Sequence, residues 1–187
     1  LYVYDLRTGH LEAELVDEVA SPGTAHHDLI HTLAFNPEGI LASGGYRSVK
    51  IWERSLIAAT DLEIPSLEGT SALSIHVGGT QAAAGDNTGH VALVDISQST
   101  TPVVFKVHET TVKALRLSSD RRHLFTTSDD KTVARVDLSD TSRISRVDLP
   151  SGGRSLALLE DGTKLAVGCA DGIIRIIAIS GFNPDAG

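Results

Sequence analysis

VHETTVKALRLSSDRRHLFTTSDDKTVARVD, residues 107–137, holds three short apolar runs separated by turn residues. VKALRLS (112–118), HLFTTS (123–128) and TVARVDL (132–138) are the length of strands, and the stretches between them are polar. Connections this short require antiparallel neighbours, so the segment is a meander rather than a βαβ crossover. The same shape returns in ALSIHV (72–77), QAAAG (81–85) and HVALVDI (90–96), broken by Gly78-Gly79 and by Asp86-Asn87-Thr88-Gly89. Further turn chemistry stands at Asn36-Pro37-Glu38-Gly39, Asp161-Gly162 and Asp171-Gly172.

The third runs make the repeat measurable. VKIWE ends at Glu53, VALVD at Asp95 and VARVD at Asp137, with LYVYD ending at Asp5 and IRIIA at Ala178. The gaps are 48, 42, 42 and 41 residues. A period of about 40–45 residues built from short strands marks a β-propeller blade. Inner runs such as IIRIIAI (173–179) are apolar at both parities, as a sheet covered on both faces requires. LEAELVDE (11–18) and ISRVDLP (144–150) interleave charge with apolar residues and read as outer strands with a wet face. No segment has sustained helical periodicity.

Composition bounds the function. The 187 residues are 41% hydrophobic and carry a formal net charge of −8, which suits a soluble globular chain and disfavours a nucleic-acid footprint. IIRIIAI is too short, and broken by Arg175, to cross a bilayer. The lone cysteine, Cys169, makes no internal disulfide and reads as a small buried residue late in a strand. No GxSxG elbow, P-loop, dinucleotide glycine fingerprint or CxxCH is present. His26, His27 and His31 cluster in HHDLIH, but a loop and a strand aim them differently, so they read as a loop histidine with solvent-facing neighbours rather than a zinc site. Asp86, Asp129-Asp130 and Asp171 are too few per turn for calcium and read as turn carboxylates. The expectation is no cofactor, no metal and no catalytic residue.

The unit at 108–137 resembles the WD-repeat family of β-propellers. That family's pattern places a His before the first strand, a Ser or Thr late in the second, an Asp in the next turn, and Trp-Asp closing the third. By position, His108, Ser128 and Asp130 fill the first three places, Val136 stands where Trp would, and Asp137 closes the motif. The resemblance implies a buried hydrogen-bond lock among His108, Ser128 and Asp130. The other units are degenerate: the one ending at Glu53 has Trp52 and His26 but no turn Asp, the next has Asp86 but no His, and the last has Asp171 with Leu149 in the His place.

The reading is therefore all-β: an arc of four-stranded antiparallel blades in an incomplete ring. The expected divisions are a partial blade at 1–20, blades at 26–66, 67–107 and 108–150, a last partial blade at 151–180 and a tail at 181–187. Strands number 17, with the last ending at Ile179-Ser180, and remaining blades are expected elsewhere in a parent chain. The first linker carries six extra residues, around VDEVASPGTAHHD (16–28). Family geometry sets it on the face with Tyr46, Arg47, His27, Asp129 and Ala170, where Tyr and Arg are favoured contact anchors. The expected role is a non-catalytic scaffold presenting that face to a protein or peptide, with no nucleic acid and no membrane. The alternative is an accessory or sensory propeller of a larger bacterial multidomain protein, with its catalytic or c-type haem domain outside this stretch.

Overall fold

The computed structural model describes residues 1–17, 24–26, 28–36, 39–46, 48–52, 59–62, 72–97, 101–159 and 162–182. Its strands fall into five antiparallel sheets in chain order. The first sheet pairs β1 (Tyr2–Tyr4) with β2 (Leu11–Glu14). The second contains β3 (Ile30–Phe35), β4 (Leu41–Gly45), β5 (Ser48–Trp52) and β6 (Ala59–Leu62). The third contains β7 (Ala72–Gly78), β8 (Gln81–Asp86), β9 (His90–Asp95) and β10 (Val103–Lys106). The fourth contains β11 (Val112–Leu117), β12 (His123–Ser128), β13 (Thr132–Asp137) and β14 (Asp140–Asp148). The fifth contains β15 (Gly153–Leu158), β16 (Lys164–Cys169) and β17 (Ile174–Ala178).

The repeat extends to its irregularities. Each of the four inner strand pairs shifts register at the same place, between Ile30 and Thr32, Ala72 and Ser74, Val112 and Ala114, and Gly153 and Ser155. A bulge there adds twist where each innermost strand begins. Two outer boundaries differ from the sequence reading. The strand sought at 144–150 begins at Asp140, because Asp137 pairs directly with Asp140 across a tight hairpin. The strand sought at 11–18 ends at Glu14, and the last strand ends at Ala178, where a 3₁₀ turn (Ile179–Gly181) takes over.

Four buried cores lie between successive sheets. Leu41 and Trp52 of the second sheet pack with Leu1 and Leu15 beside the first. Ala42, Val49 and Ile51 meet Ile75, Val77, Ala82 and Ala84. Ala83 and Val91 meet Val112, Leu115 and Leu124 on the other side of the third sheet. Phe125 and Val133 meet Leu156, Leu165, Val167 and Phe182. The run Ala82-Ala83-Ala84 thus faces alternate neighbours, and its small side chains leave room for a sheet on each side. No core among the described residues joins the first sheet to the fifth, so the sheets form an arc and not a closed ring. Large apolar and aromatic side chains stay exposed toward both ends: Tyr2 and Tyr4 on β1 and Leu33 and Phe35 on β3 of the second sheet, Ile174 and Ile176 on β17.

Polar bridges stitch neighbouring sheets where the cores thin out. Lys50, only 2% exposed on β5, pairs with Asp17 just beyond β2 and ties the N-terminal hairpin to the second sheet. A buried ammonium needs such a partner. Asn36 Nδ2 donates to Gly79 O across the second and third sheets. Between the third and fourth, Ser74 Oγ donates to Val112 O, and His76 Nδ1 accepts the Leu117 N–H at 3.2 Å.

Burial, with a smaller push from Arg116, drives the His76 pKa down to about 4. The neutral ring is the form that can accept the Leu117 amide. Its contribution is complete above the unfolded-state value near 6.5 and is lost as pH falls from about 6.5 to about 4. His76→Gln retains an acceptor that does not titrate. Thermal melts across pH 7 to 4 should therefore show a shallower loss of stability for this variant than for the parent chain. Parallel curves would contradict the strut assigned to His76.

Candidate functional site

The turns joining second to third strands share one face of the arc with the described linker residues that lead into β3, β11 and β15. Its anchor is His108, whose backbone and side chain are bound to different sheets. Val107 N and His108 N both donate to Gly89 O, at 2.9 and 3.1 Å, extending the β9–β10 ladder of the third sheet. The imidazole reaches the fourth sheet instead. Nδ1 lies 2.9 Å from Asp130 Oδ2 and 2.9 Å from Thr132 Oγ1, and Nε2 lies 2.8 Å from Thr126 Oγ1. All of these contacts are satisfied when Nδ1–H donates and Nε2 accepts from the threonine hydroxyl.

Gly89 must be glycine. Its φ is +94°, and a Cβ there would stand 1.9 Å from His108 O. Lys131 holds the matching place in the next turn at φ 67°, and its carbonyl accepts Leu149 N at 2.7 Å. Asp130 further accepts Glu109 N at 3.1 Å, Thr132 N at 3.0 Å and Thr132 Oγ1 at 2.8 Å. Burial lowers the His108 pKa despite the opposing pull of Asp130, so the ring is neutral at pH 7. Burial also pushes the Asp130 carboxyl up, but the Thr132 hydroxyl, His108 and the Glu109 amide outweigh it and the net shift is down. A neutral imidazole therefore donates to a carboxylate, a charge-assisted bond in a dry setting.

The structure departs from the motif assignment at one position. Thr126, not Ser128, holds the imidazole. Ser128 sits one step away, accepting Asp130 N at 3.2 Å and donating to Thr110 O at 3.3 Å. The pleat explains the displacement: counted back from Val136, which pairs with Leu124, the side chain reaching the imidazole is two residues beyond Leu124.

The same register reveals a second lock that the sequence had concealed. Trp52 pairs with Leu41, so Ser43 matches Thr126 and Ser48 matches Thr132. His26 Nε2 lies 2.7 Å from Ser43 Oγ and Nδ1 lies 3.1 Å from Ser48 Oγ, while Trp52 Nε1 donates to Ser43 Oγ at 2.9 Å. A hydroxyl takes the place of the turn carboxylate. With both ring nitrogens engaged, His26 is no metal ligand. No three His, Cys, Asp or Glu side chains converge to hold a metal among the described residues.

The two remaining units use other partners. Asp86, fully buried, accepts Thr88 N, Thr88 Oγ1 and His90 N, all within its own turn. Asp171 takes a bidentate grip from Arg175 at 2.9 and 2.8 Å, and that guanidinium holds its pKa down at about 2.

Of the proposed contact face, Tyr46 is 45% exposed at the start of the β4–β5 turn. Asp129 is half-buried and already engaged, with Lys113 Nζ at 3.0 Å and Arg154 Nε at 3.6 Å. It bridges the fourth and fifth sheets. Arg47 and His27 lie outside the described residues.

Asp130→Ala should lower stability by about 2 kcal/mol, since it removes the charge-assisted bond to the buried His108 Nδ1, leaving only Thr132 Oγ1 there, and frees the Glu109 amide of the linker. Asp86→Ala should cost less, because it loses only contacts inside one turn. Urea melts giving equal losses for the two variants would defeat the lock assigned to Asp130.

Comparison with known families gives two matches to the WD domain, G-beta repeat, at residues 20–53 and 99–134. The first spans His26, Ser43 and Trp52, and the second spans His108, Thr126, Asp130 and Thr132. Each match thus falls on a unit in which a linker histidine is bound to the following sheet. Repeat period, five antiparallel sheets stacked through four cores, and these two matches together support assignment of the chain to the WD-repeat family of β-propellers.

Proposed function

We propose that this chain is a non-catalytic interaction module that docks a protein or peptide on the face built from its β4–β5, β8–β9, β12–β13 and β16–β17 turns. WD repeats serve in general as protein-interaction modules, and that coarse role extends to this chain through its family. The observation that carries the finer reading is the fixation of this face. His26 and His108 hold their linkers to the sheets beneath, Asp129 joins two sheets, and Ala170 N donates to Gly152 O at 2.8 Å. A surface set in advance loses little conformational freedom on binding. Tyr46 offers an amphipathic ring there, and Arg47 beside it in sequence supplies a planar fork for carboxylates or backbone carbonyls. His27 and Asp129 complete the proposed contact set, with Asp129 both a brace for the fold and a potential acceptor.

Recognition of this kind needs no proton transfer and no cofactor. The polar groups nearest the face are consumed by structural bonds, which suits a rigid platform. Immobilised chain should retain a partner from an extract of its source cells. Tyr46→Ala and Arg47→Ala should each reduce retention about tenfold, or 1.4 kcal/mol, with Tm unchanged. Retention undiminished in both variants would remove this patch as the contact surface.

A further inference from the structure

β11 is the innermost strand of the fourth sheet, paired with β12 on one side and, among the described residues, with no strand on the other. Its free edge faces the inner rim of the arc. Leu115 and Leu117, two residues apart, project a carbonyl and an amide to the same edge. Basic side chains take both. Arg116 Nη1 donates to Leu115 O at 2.7 Å, and His76 Nδ1, arriving from β7, accepts Leu117 N at 3.2 Å. A guanidinium and an imidazole therefore stand side by side on the rim. The matching register positions of the second and fifth sheets hold Ala34 and Ala157, so the basic pair is confined to two neighbouring sheets.

Both groups have donors left over. With Nδ1 accepting, the proton of the His76 ring sits on Nε2, and among the described residues that N–H has no acceptor. Arg116 commits one N–H of its fork to Leu115 O and, among the described residues, makes no other hydrogen bond and no ion pair.

The charge on the rim is uncompensated. Arg175 and Arg154 meet Asp171 and Asp129. Arg116 is half-buried with no such carboxylate beside it, and burial alone lowers its pKa from the ordinary guanidinium value, though not far enough to discharge it. The His76 ring next to it, with its pKa at about 4, is neutral at pH 7. The rim thus holds a single positive charge, partly withdrawn from water, with N–H donors on two side chains and no acceptor opposite them. Partial burial of a charge without its counter-charge is unfavourable, and a bound anion relieves it.

We propose that Arg116 and His76 form a carboxylate-binding site on the inner rim of the arc, the guanidinium holding the carboxylate oxygens and His76 Nε2–H donating to one of them. A planar two-oxygen acceptor matches the guanidinium fork, which fixes orientation as well as adding strength. One positive charge is balanced by one negative charge, whereas a phosphate dianion would leave a charge unmatched in a half-dry setting. The carboxylate belongs either to a small organic acid or to an acidic side chain of a chain lying along the rim; the recognition chemistry is the same. The site lies toward the other end of β11 from the turn face proposed above and stands whether or not that face binds.

Titration with sodium acetate at pH 7 and constant ionic strength, followed by NMR at the Leu117 amide and the His76 ring, tests the assignment. Both signals should shift and saturate with a Kd of about millimolar order, and sodium chloride in its place should not reproduce the shifts. Arg116→Gln should weaken acetate binding about tenfold or more, with Tm level or raised, because a half-buried charge without a partner is removed. His76→Gln keeps one N–H donor and should weaken binding less. Acetyl-aspartate methylamide distinguishes the two sources: it should bind more tightly than acetate if the carboxylate belongs to a chain, and no more tightly if the ligand is a small acid. The proposal is overturned if acetate gives no saturating shift, or if Arg116→Gln binds it as tightly as the parent chain. It is also overturned if Tm falls in Arg116→Gln, which would make the guanidinium a brace of the fold, or if inorganic phosphate binds more tightly than acetate.

Discussion

His108 is bound by its backbone to one sheet and by its side chain to the next, and the geometry of the arc depends on joints of this kind. The Gly89 carbonyl fixes where the linker runs, and Thr126, Asp130 and Thr132 fix where the following sheet stands. Apolar cores supply most of the burial between sheets, but hydrophobic contact is non-directional and tolerates sliding. Directed bonds from one buried imidazole do not. They set the angle between neighbouring sheets, and so determine which turns share a face.

Variation among the joints follows simple chemistry. His26 reaches Ser43 and Ser48, so a hydroxyl replaces the carboxylate and the joint becomes neutral. Asp86 has turned inward and satisfies its own turn. Asp171 has Leu149 where a histidine would sit and recruits Arg175 from its own sheet. Each solution keeps the polar side chains of the joint or turn satisfied, which is the constraint that must be met, while the means is free to change. The salt link from Lys50 to Asp17 does comparable service at the first sheet, where no histidine joint is described.

Much of this was legible in the sequence. Period, turn residues and apolar parity gave five groups of strands with inner boundaries correct to about a residue. Strand ends on the outer edge were less legible, because Asp140 and Thr141 continue a hairpin that polar composition reads as a turn. The histidine joint was found, but its hydroxyl partner was placed at Ser128 because serine and threonine occur at 126, 127 and 128 alike. Only the pleat register distinguishes them. The His26 joint was hidden because a motif search looks for a turn aspartate, and Ser48 gives no such signal. The burial of Lys50 in VKIWE leaves no trace in the sequence, since nothing local announces that Asp17 will cover it. The left-handed φ of Arg121 was equally silent, its oddity visible only beside Gly39 and Gly162 in the matching turns.

A stack of sheets held at fixed angles can present the turn face proposed for recognition. That use requires that the joints persist in solution. Native-state hydrogen exchange on the Val107, His108, Glu109 and Leu149 amides tests this most directly. These amides should be protected to nearly the same degree as the β12–β13 ladder at Thr126 and Ala134, opening only when the sheets separate. Exchange at the rate of free loop amides, with the ladders still protected, would contradict the account.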